Sequence, residues 1–449
     1  MTKHKIELSG DSLGLVESVI MGVAGTAPAY SIAATTSVLF LAAGYQSIAS
    51  LLYCGLIMLG VSLAFMHLNR TNSNAGASFV WVGEIFHPIL GFFTGWSLLV
   101  ASAVFMVSGT IPAAVATLAI VNPDYVNNPT VVSIVAALWL IFVSLIVVKG
   151  IKLSSYFQMI LTILEVGILA AVIGGAIWTF YSAPVHSFDF SQLSLFKFTT
   201  ESFAAGALTA LFFFWGWDVT VNLSEETKNS SVNPGRGAVA AMIIVLLLFT
   251  SFMLAAQFSL SEKEIVNANS NLIMAISEKI FPSPISYIAI IAVILSTVGT
   301  LETTILQFTR TLYAKGRVGI LNPRYAKLHK TWKTPWYANL IIAGIGLVLL
   351  ACFAFLPSVD QIITVSVKAI GFQVAFYYGL TCFACAWKYR HLSLKNFKEY
   401  VLLFLWPLIS GIFMAFIFVY CAFVFDWLTI TLGIGGILVG AIPLYLNKK

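Results

Sequence analysis

Apolar stretches long enough to cross a bilayer follow one another along almost the whole of this 449-residue chain. A spanning helix takes roughly 20 such residues. We read twelve stretches, near 15–43, 47–68, 79–121, 131–148, 153–180, 202–224, 236–260, 285–312, 335–357, 361–387, 401–423 and 425–446. Charge is scarce to match. Asp, Glu, Lys and Arg make up 9% of residues, against roughly 25% in soluble domains. Hydrophobic residues make up 59%, more than a soluble fold of this size can hide from water. The same figures exclude disordered, collagenous and coiled-coil chains. The pattern predicts an all-α membrane protein of about twelve transmembrane helices, a single integral membrane domain over 1–449 with the lipid bilayer as its surroundings. The connections are too short for a sizeable soluble domain.

The distribution of charge carries more than its total of +6. With the N-terminus inside, 20 of the Lys and Arg residues fall inside and only Lys197, Lys263 and Lys279 outside, while Lys368 lies within a span. This positive-inside bias predicts cytoplasmic termini in a cytoplasmic (inner) membrane. The basic stretch 310–333 is then a topology signal, and no nucleic-acid partner is expected. Lys3-His4-Lys5 resembles the charged start of a signal peptide, but the apolar run from Leu13 to Ala43 is far too long for one. All five cysteines lie in spans, and Cys382-x-x-Cys385 has no His beside it, so it reads as two small apolar residues. No His-Glu-x-x-His, nucleophile elbow or nucleotide signature is present. Neither an enzyme, a cofactor nor a metal is expected.

Two spans are interrupted at corresponding places. The first reads Gly22-Val-Ala-Gly25-Thr-Ala-Pro28 in its middle, and glycine and proline weaken or remove helical hydrogen bonds. The sixth reads Phe212-Phe-Phe-Trp-Gly216-Trp-Asp218, with a glycine and a carboxylate at mid-membrane. Interrupted first and sixth helices are what two five-helix repeats of opposite topology produce. The repeats would cover 15–180 and 202–387, after an N-terminal segment 1–14 and before helices 11 and 12 at 401–446. Broken helices at matching positions of inverted halves point to a transport site near the bilayer midplane. Gly436-x-x-x-Gly440 in the last span is a small-residue face suited to helix packing, within the chain or in a dimer.

Four segments in order resemble the amino acid–polyamine–organocation transporters, bacterial amino acid permease type. They are the broken first helix; Asn74-Ala-Gly-Ala-Ser78 through Gly95-Trp96; Trp215-Gly-Trp-Asp-Val-Thr-Val-Asn-Leu-Ser-Glu225-Glu-Thr-Lys-Asn229 with Pro234-Gly-Arg236; and Arg310-Thr-Leu-Tyr-Ala-Lys-Gly-Arg317. The resemblance spans nearly the whole chain. It implies the leucine-transporter-like fold with broken helices 1 and 6, an aromatic gate at Phe212, and helices five and eight side by side near an internal cation site. Two departures stand out. The family's short Gly-x-Gly before the helix-one proline is reshaped here to Gly22-Val-Ala-Gly25. Many members carry a lysine in helix five where this chain has Glu165.

Unwound half-helix ends free N–H groups that suit a carboxylate and C=O groups that suit an ammonium. Gly22, Ala24, Gly25 and Thr26 are the expected donor segment. Phe212, Phe214, Trp215 and Gly216 are the expected carbonyl or lid positions. Ser102 and Met106 in helix three and Thr304 in helix eight would line the pocket. Glu165, Asp218 and Glu302 lie deep in spans, where a charge costs at least ~2.5–3.5 kcal/mol. Each is a proton- or ion-coupling site or a neutral acid joining two helices. Counted at ~1.5 Å per residue, Glu165 and Glu302 could share a level, where neighbouring carboxylates favour a proton carrier and would also suit Na+. Lys368 either snorkels to the surface or closes an outer vestibule. Glu225 and Glu226 either form an inner gate with Arg317 or are solvated. The expected function is secondary active transport of amino acids or related amines by alternating access, coupled to H+ as a symporter or antiporter. An uncoupled exchanger and a transport-inactive sensor on the same fold are the alternatives. The sequence leaves the oligomeric state open.

Overall fold

The computed structural model describes residues 7–268, 271–354, 359–392 and 396–446. Among these the chain is helical, and the β contact it makes is a parallel bridge between Leu13 and Thr227. Among the described residues, nine segments are long and apolar enough to cross a membrane by length and composition. The first, Leu15–Thr71, comprises α1 (Leu15–Gly25), α2 (Pro28–Ala43) and α3 (Ser47–Thr71). Thr26 ends α1 by folding its N–H and hydroxyl back onto the Val23 carbonyl, at 3.1 and 2.7 Å. Ala27 then takes a positive φ of 47°, and Pro28 opens α2. Its fixed φ and missing N–H cost nothing in a first turn.

The stretch 79–121 is three helices rather than one: α4 (Ser78–Ile85), α5 (Pro88–Ser108) and α6 (Thr110–Val121). His87-Pro88 makes the first division, with the His87 ring accepting from the Ile89 N–H at 3.2 Å. Two long helices follow, α7 (Pro129–Val148) and α8 (Ile151–Phe180). The second interrupted span is α9 (Thr200–Phe213), a non-helical Phe214–Asp218, and the single turn α10 (Val219–Asn222). Next come α11 (Asn233–Ser259), two short helices α12 (Glu262–Ala268) and α13 (Leu272–Ile280), and then α14 (Ile288–Arg317), α15 (Trp336–Phe353) and α16 (Val359–Lys388). α17 (Phe397–Glu399) runs through a π-helical Tyr400–Leu405 into α18 (Trp406–Val424). The last segment is α19 (Trp427–Ile430), α20 (Gly436–Leu438) and α21 (Ala441–Leu446). The spans expected near 202–224 and 335–357 correspond to the shorter apolar helices Thr200–Phe213 and Trp336–Cys352.

Helix α14 is the central pillar. It packs on α8, α6, α5, α2, α1 and α10, and every residue from Ser296 to Gly316 is buried. A helix buried on all sides would ordinarily be apolar, yet this one carries Glu302, Gln307, Arg310 and Lys315. By contrast α18 exposes Ile409, Ile412, Phe416, Val419 and Phe423, a stripe at helical spacing suited to lipid. The Gly436–Gly440 face is used inside the chain. β-Carbons there would press on Val100 and Trp96, and the Trp96 indole donates to the Gly436 carbonyl at 3.0 Å.

Candidate functional site

The two interrupted helices meet at their breaks. A β-carbon on Gly25 would collide with the Gly216 carbonyl, and one on Gly216 with the Gly25 carbonyl. Only two glycines permit that approach, and Gly216 also has φ +108°. Gly22 likewise faces Thr220 and Ala241. The expected donor segment does not offer free N–H groups. Ala24 and Gly25 belong to the last turn of α1, whose N–H groups bond within the helix. The Ala24 carbonyl accepts from the Thr300 hydroxyl, and Thr26 bonds back to Val23. The N–H groups that a break exposes are those at the start of a helix, here α2. The Ala29 N–H donates to Glu165 Oε1 at 2.8 Å and the Tyr30 N–H to Ser296 Oγ at 3.1 Å.

Glu165 and Glu302 are both buried but are not side by side. Glu165 lies at the level of Ala29 and Ser296. Glu302 lies at the level of Gln158, whose amide, oriented to satisfy its neighbours, donates to Glu302 Oε2 and to the Gly299 carbonyl at 3.0 Å each and accepts from Thr162. Gln158 and Glu165 are seven residues apart on α8, about 10 Å at the helical rise. The expectation of one shared level fails because α8 and α14 pack with their ends offset: Gln158 of α8 meets Glu302, whereas Glu165 meets Ser296, six residues from Glu302 on α14. Glu302 also faces the buried Ser154 hydroxyl, one turn along α8 from Gln158.

Asp218 is the best-held acid. Its carboxylate accepts from Gln307 Nε2 at 2.7 Å, the Tyr377 hydroxyl at 3.0 Å and the Tyr378 hydroxyl at 2.8 Å. Tyr377 in turn accepts from the Trp215 indole at 2.9 Å. The aromatic positions divide. Phe212 meets the Tyr30 ring edge-on at 6.2 Å, and Trp215 meets Phe105 at 5.5 Å. Phe214 instead packs on Phe249 and against Gly55, away from the breaks. Helix three contributes Phe105 and Ser108, whose carbonyl accepts from the Tyr30 hydroxyl at 3.1 Å. Met106 faces Gly346 of α15, and the Ser102 hydroxyl is satisfied by its own helix at Leu98. Thr304 is buried on α14, but Thr300 is the threonine bonded to the first break.

At the end of the molecule that carries the N-terminal segment, Glu225 forms a bidentate pair with Arg317 at 2.6 and 2.7 Å and accepts from the Ala75 N–H at 2.9 Å. Glu226 forms a second bidentate pair with Arg310 at 2.8 and 2.9 Å, both side chains almost wholly buried. Neither acid is free in solvent. The Glu226 carbonyl also takes the N–H groups of Ser12 and Leu13, so the N-terminal segment borders a cavity of about 870 Å³ lined by Leu8, Asp11, Glu225, Ser230, Tyr313 and Arg317. Lys315 donates to the Phe92 carbonyl at 2.7 Å and lies over the Phe79 and Phe92 rings. Lys368 sits 5.4 Å from the Phe425 ring centre, beside Asp426 and the α18–α19 turn. It forms no ion pair among the described residues and stands apart from the breaks, so the expected vestibule bridge is not formed. At the opposite end, Lys279 pairs with Glu264 at 2.8 Å. That contact and the Ser261 N–H and hydroxyl hold the Glu264 carboxyl down at about 2.

Sequence reading did not single out Thr300, Ser296, Gln307, Arg310, Tyr377 or Tyr378. A polar residue at every third or fourth position of α14, and a tyrosine pair inside an apolar span, were the available signals.

A family model described as amino acid permease matches residues 13–435. The serine/threonine exchanger SteT of Bacillus subtilis (strain 168) is 22% identical over 340 residues, which cover 74% of this chain and 72% of that protein. The low-affinity putrescine importer PlaP of Escherichia coli (strain K12) is 24% identical over 364 residues, 77% of this chain and 75% of the importer. The methylthioribose transporter of Bacillus subtilis (strain 168) is 25% identical over 284 residues, 62% of this chain and 58% of the transporter.

Proposed function

Because the chain belongs to the amino acid permease family, a family of transporters and not enzymes, we propose that it is a secondary active transporter of amino acids or related amines, working by alternating access and coupled to H+. It is a multi-pass membrane protein. Its relatives carry substrates as different as serine, threonine and putrescine, by name. The bias of 20 basic residues to one side supports a cytoplasmic membrane with both termini inside.

The observation that carries the coupling is the Glu165 carboxylate on the first-turn N–H of α2. Those donors and the positive end of the half-helix are what a substrate carboxylate needs. The protein's own carboxylate holds the Ala29 N–H and Ser296 holds that of Tyr30. A proton on Glu165 removes its charge and loosens its grip on Ala29, releasing that donor to the substrate. The ammonium group then has the carbonyls at the end of α9. The carbonyls of Phe214 and Trp215 accept no backbone hydrogen bond among the described residues. Proton and substrate thus load together, the Gly25–Gly216 contact parts, and α1 and α9 move around the site. This order favours substrates with a carboxylate over simple polyamines.

Purified protein in liposomes, supplied with a panel of amino acids and polyamines at two pH values, tests the reading. Uptake is expected to rise on the acid side in the wild type and to lose its pH response in Glu165→Gln. An unchanged pH profile in that variant sinks the role of Glu165. Counterflow with no pH response in the wild type assigns an uncoupled exchanger, and binding without flux assigns a sensor.

A further inference from the structure

One buried feature joins the breaks to the far end of the molecule without interruption. The Trp215 indole donates to the Tyr377 hydroxyl at 2.9 Å, which donates to Asp218 at 3.0 Å. Gln307 Nε2 reaches both Asp218, at 2.7 Å, and Asn222 Oδ1, at 3.3 Å. Asn222 Nδ2 donates to the Ala75 carbonyl at 2.9 Å. The N–H of that same Ala75 donates to Glu225, the partner of Arg317. Asp218, Asn222, Gln307, Ala75 and Tyr377 are each 1% exposed or less. The Tyr377 hydroxyl and the Asn222 amide each accept on one side and donate on the other, while the Gln307 amide donates both ways, to Asp218 and to Asn222. Chains of this kind polarise one another, and a link broken in a buried place leaves a group unsatisfied.

The chain also connects parts that differ in their attachment. Trp215, Asp218 and Asn222 belong to the second break and α10, Gln307 to the α14 pillar, Tyr377 to α16, and Ala75 to the segment before α4. We propose that Tyr377 is a positioning residue. By holding Trp215 and Asp218 from α16 it keeps Asp218 in place for Gln307, the link from the second break and α10 to α14, and so transmits the state of the breaks to the Glu225–Arg317 pair. The proposal rests on the transport reading for its purpose, though not for its physics. When Trp215 is drawn away, Tyr377 loses its donor, Asp218 loses alignment with Gln307, and Asn222 no longer steadies Ala75. The two-state element is α10, a single turn with little helix of its own to resist.

Tyr377→Phe keeps the ring and removes the hydroxyl that joins Trp215 to Asp218, leaving the Tyr378 hydroxyl on the other carboxylate oxygen. Hydrogen exchange on the purified full chain without substrate is the direct reading. Amides in 72–77 and 219–232 are expected to exchange at least fivefold faster in the variant, with those of α15 and α18 within twofold of wild type. Uniform acceleration would mean simple destabilisation, and no acceleration would mean the link transmits nothing. Either result overturns the proposal. Uptake by the wild type is measured separately in liposomes. Absence of flux there would remove the transport reading and leave the exchange result standing. If flux is present, Tyr377→Phe is expected to lower the maximal rate at least fivefold with KM within about threefold.

Discussion

Leaving a buried charge without its partner is among the costliest changes a side chain can undergo, and the two arginine–glutamate pairs differ in how far they are buried. Arg310 and Glu226 are sealed from solvent, whereas Arg317 and Glu225 are partly open. Removing one half of a buried pair costs roughly 3–5 kcal/mol, and replacing both halves by apolar groups is often neutral. Arg310→Met should therefore depress the unfolding midpoint in detergent sharply, and adding Glu226→Leu should recover most of the loss. Glu225→Gln at the partly exposed pair should cost at most about 1 kcal/mol. Thermal unfolding followed by the monodisperse fraction on gel filtration reads all three. Glu165, Asp218 and Glu302 could be found from the sequence because an acid in the middle of an apolar run is costly, whether it carries a proton or joins two helices. Arg310 and Lys315 could not, because a basic residue near the end of an apolar run looks like the start of a loop. Only the packing of α14 shows that they are inside. Lys315 has no carboxylate partner among the described residues; the aromatic faces of Phe79 and Phe92 and a carbonyl stand in for one.

At the scale of elements, both interruptions were legible to within a turn, since glycine, proline and a mid-span carboxylate leave a local mark. That they touch was not legible, because Gly25 and Gly216 are brought together by packing between segments about 190 residues apart. The donors were misassigned for a related reason: composition marks where a helix stops, but the exposed N–H groups lie where the next one starts. Gly216→Ala places a side chain at φ +108° and against the Gly25 carbonyl. We expect uptake per molecule to fall at least tenfold while the protein still inserts. Gly371→Ala in α16, with nothing near its β-carbon, should stay within twofold of wild type. The short helices α12 and α13 yield a pH prediction. Glu264 is held below its ordinary value by Lys279 and Ser261. A carboxyl held low contributes stability that is full above its unfolded pKa and disappears as the pH falls through its folded one. The difference in unfolding midpoint between wild type and Glu264→Gln should hold steady from neutral pH down to about 5 and shrink between about 4 and 2. A difference that shrinks already between pH 7 and 5 would contradict the pairing.

On the scale of the whole molecule, the membrane class and helical architecture followed from hydropathy alone, because lipid demands that backbone polar groups be satisfied within a helix. The organisation around α14 did not follow, since a polar residue in a membrane helix says that it is covered but not by what. The Gly436–Gly440 face shows the same limit: the motif announced close packing, and only the fold identified Trp96 and Val100 as what it packs on. The glycine-to-glycine contact of the two breaks reaches beyond mechanics to descent. Each position vetoes a side chain at the other, whatever substrate is carried, so neither can drift alone. The aromatic residues around them are under no such joint veto. Within a lineage built on this chain, changes of cargo would accumulate in the walls while the point of contact stays bare.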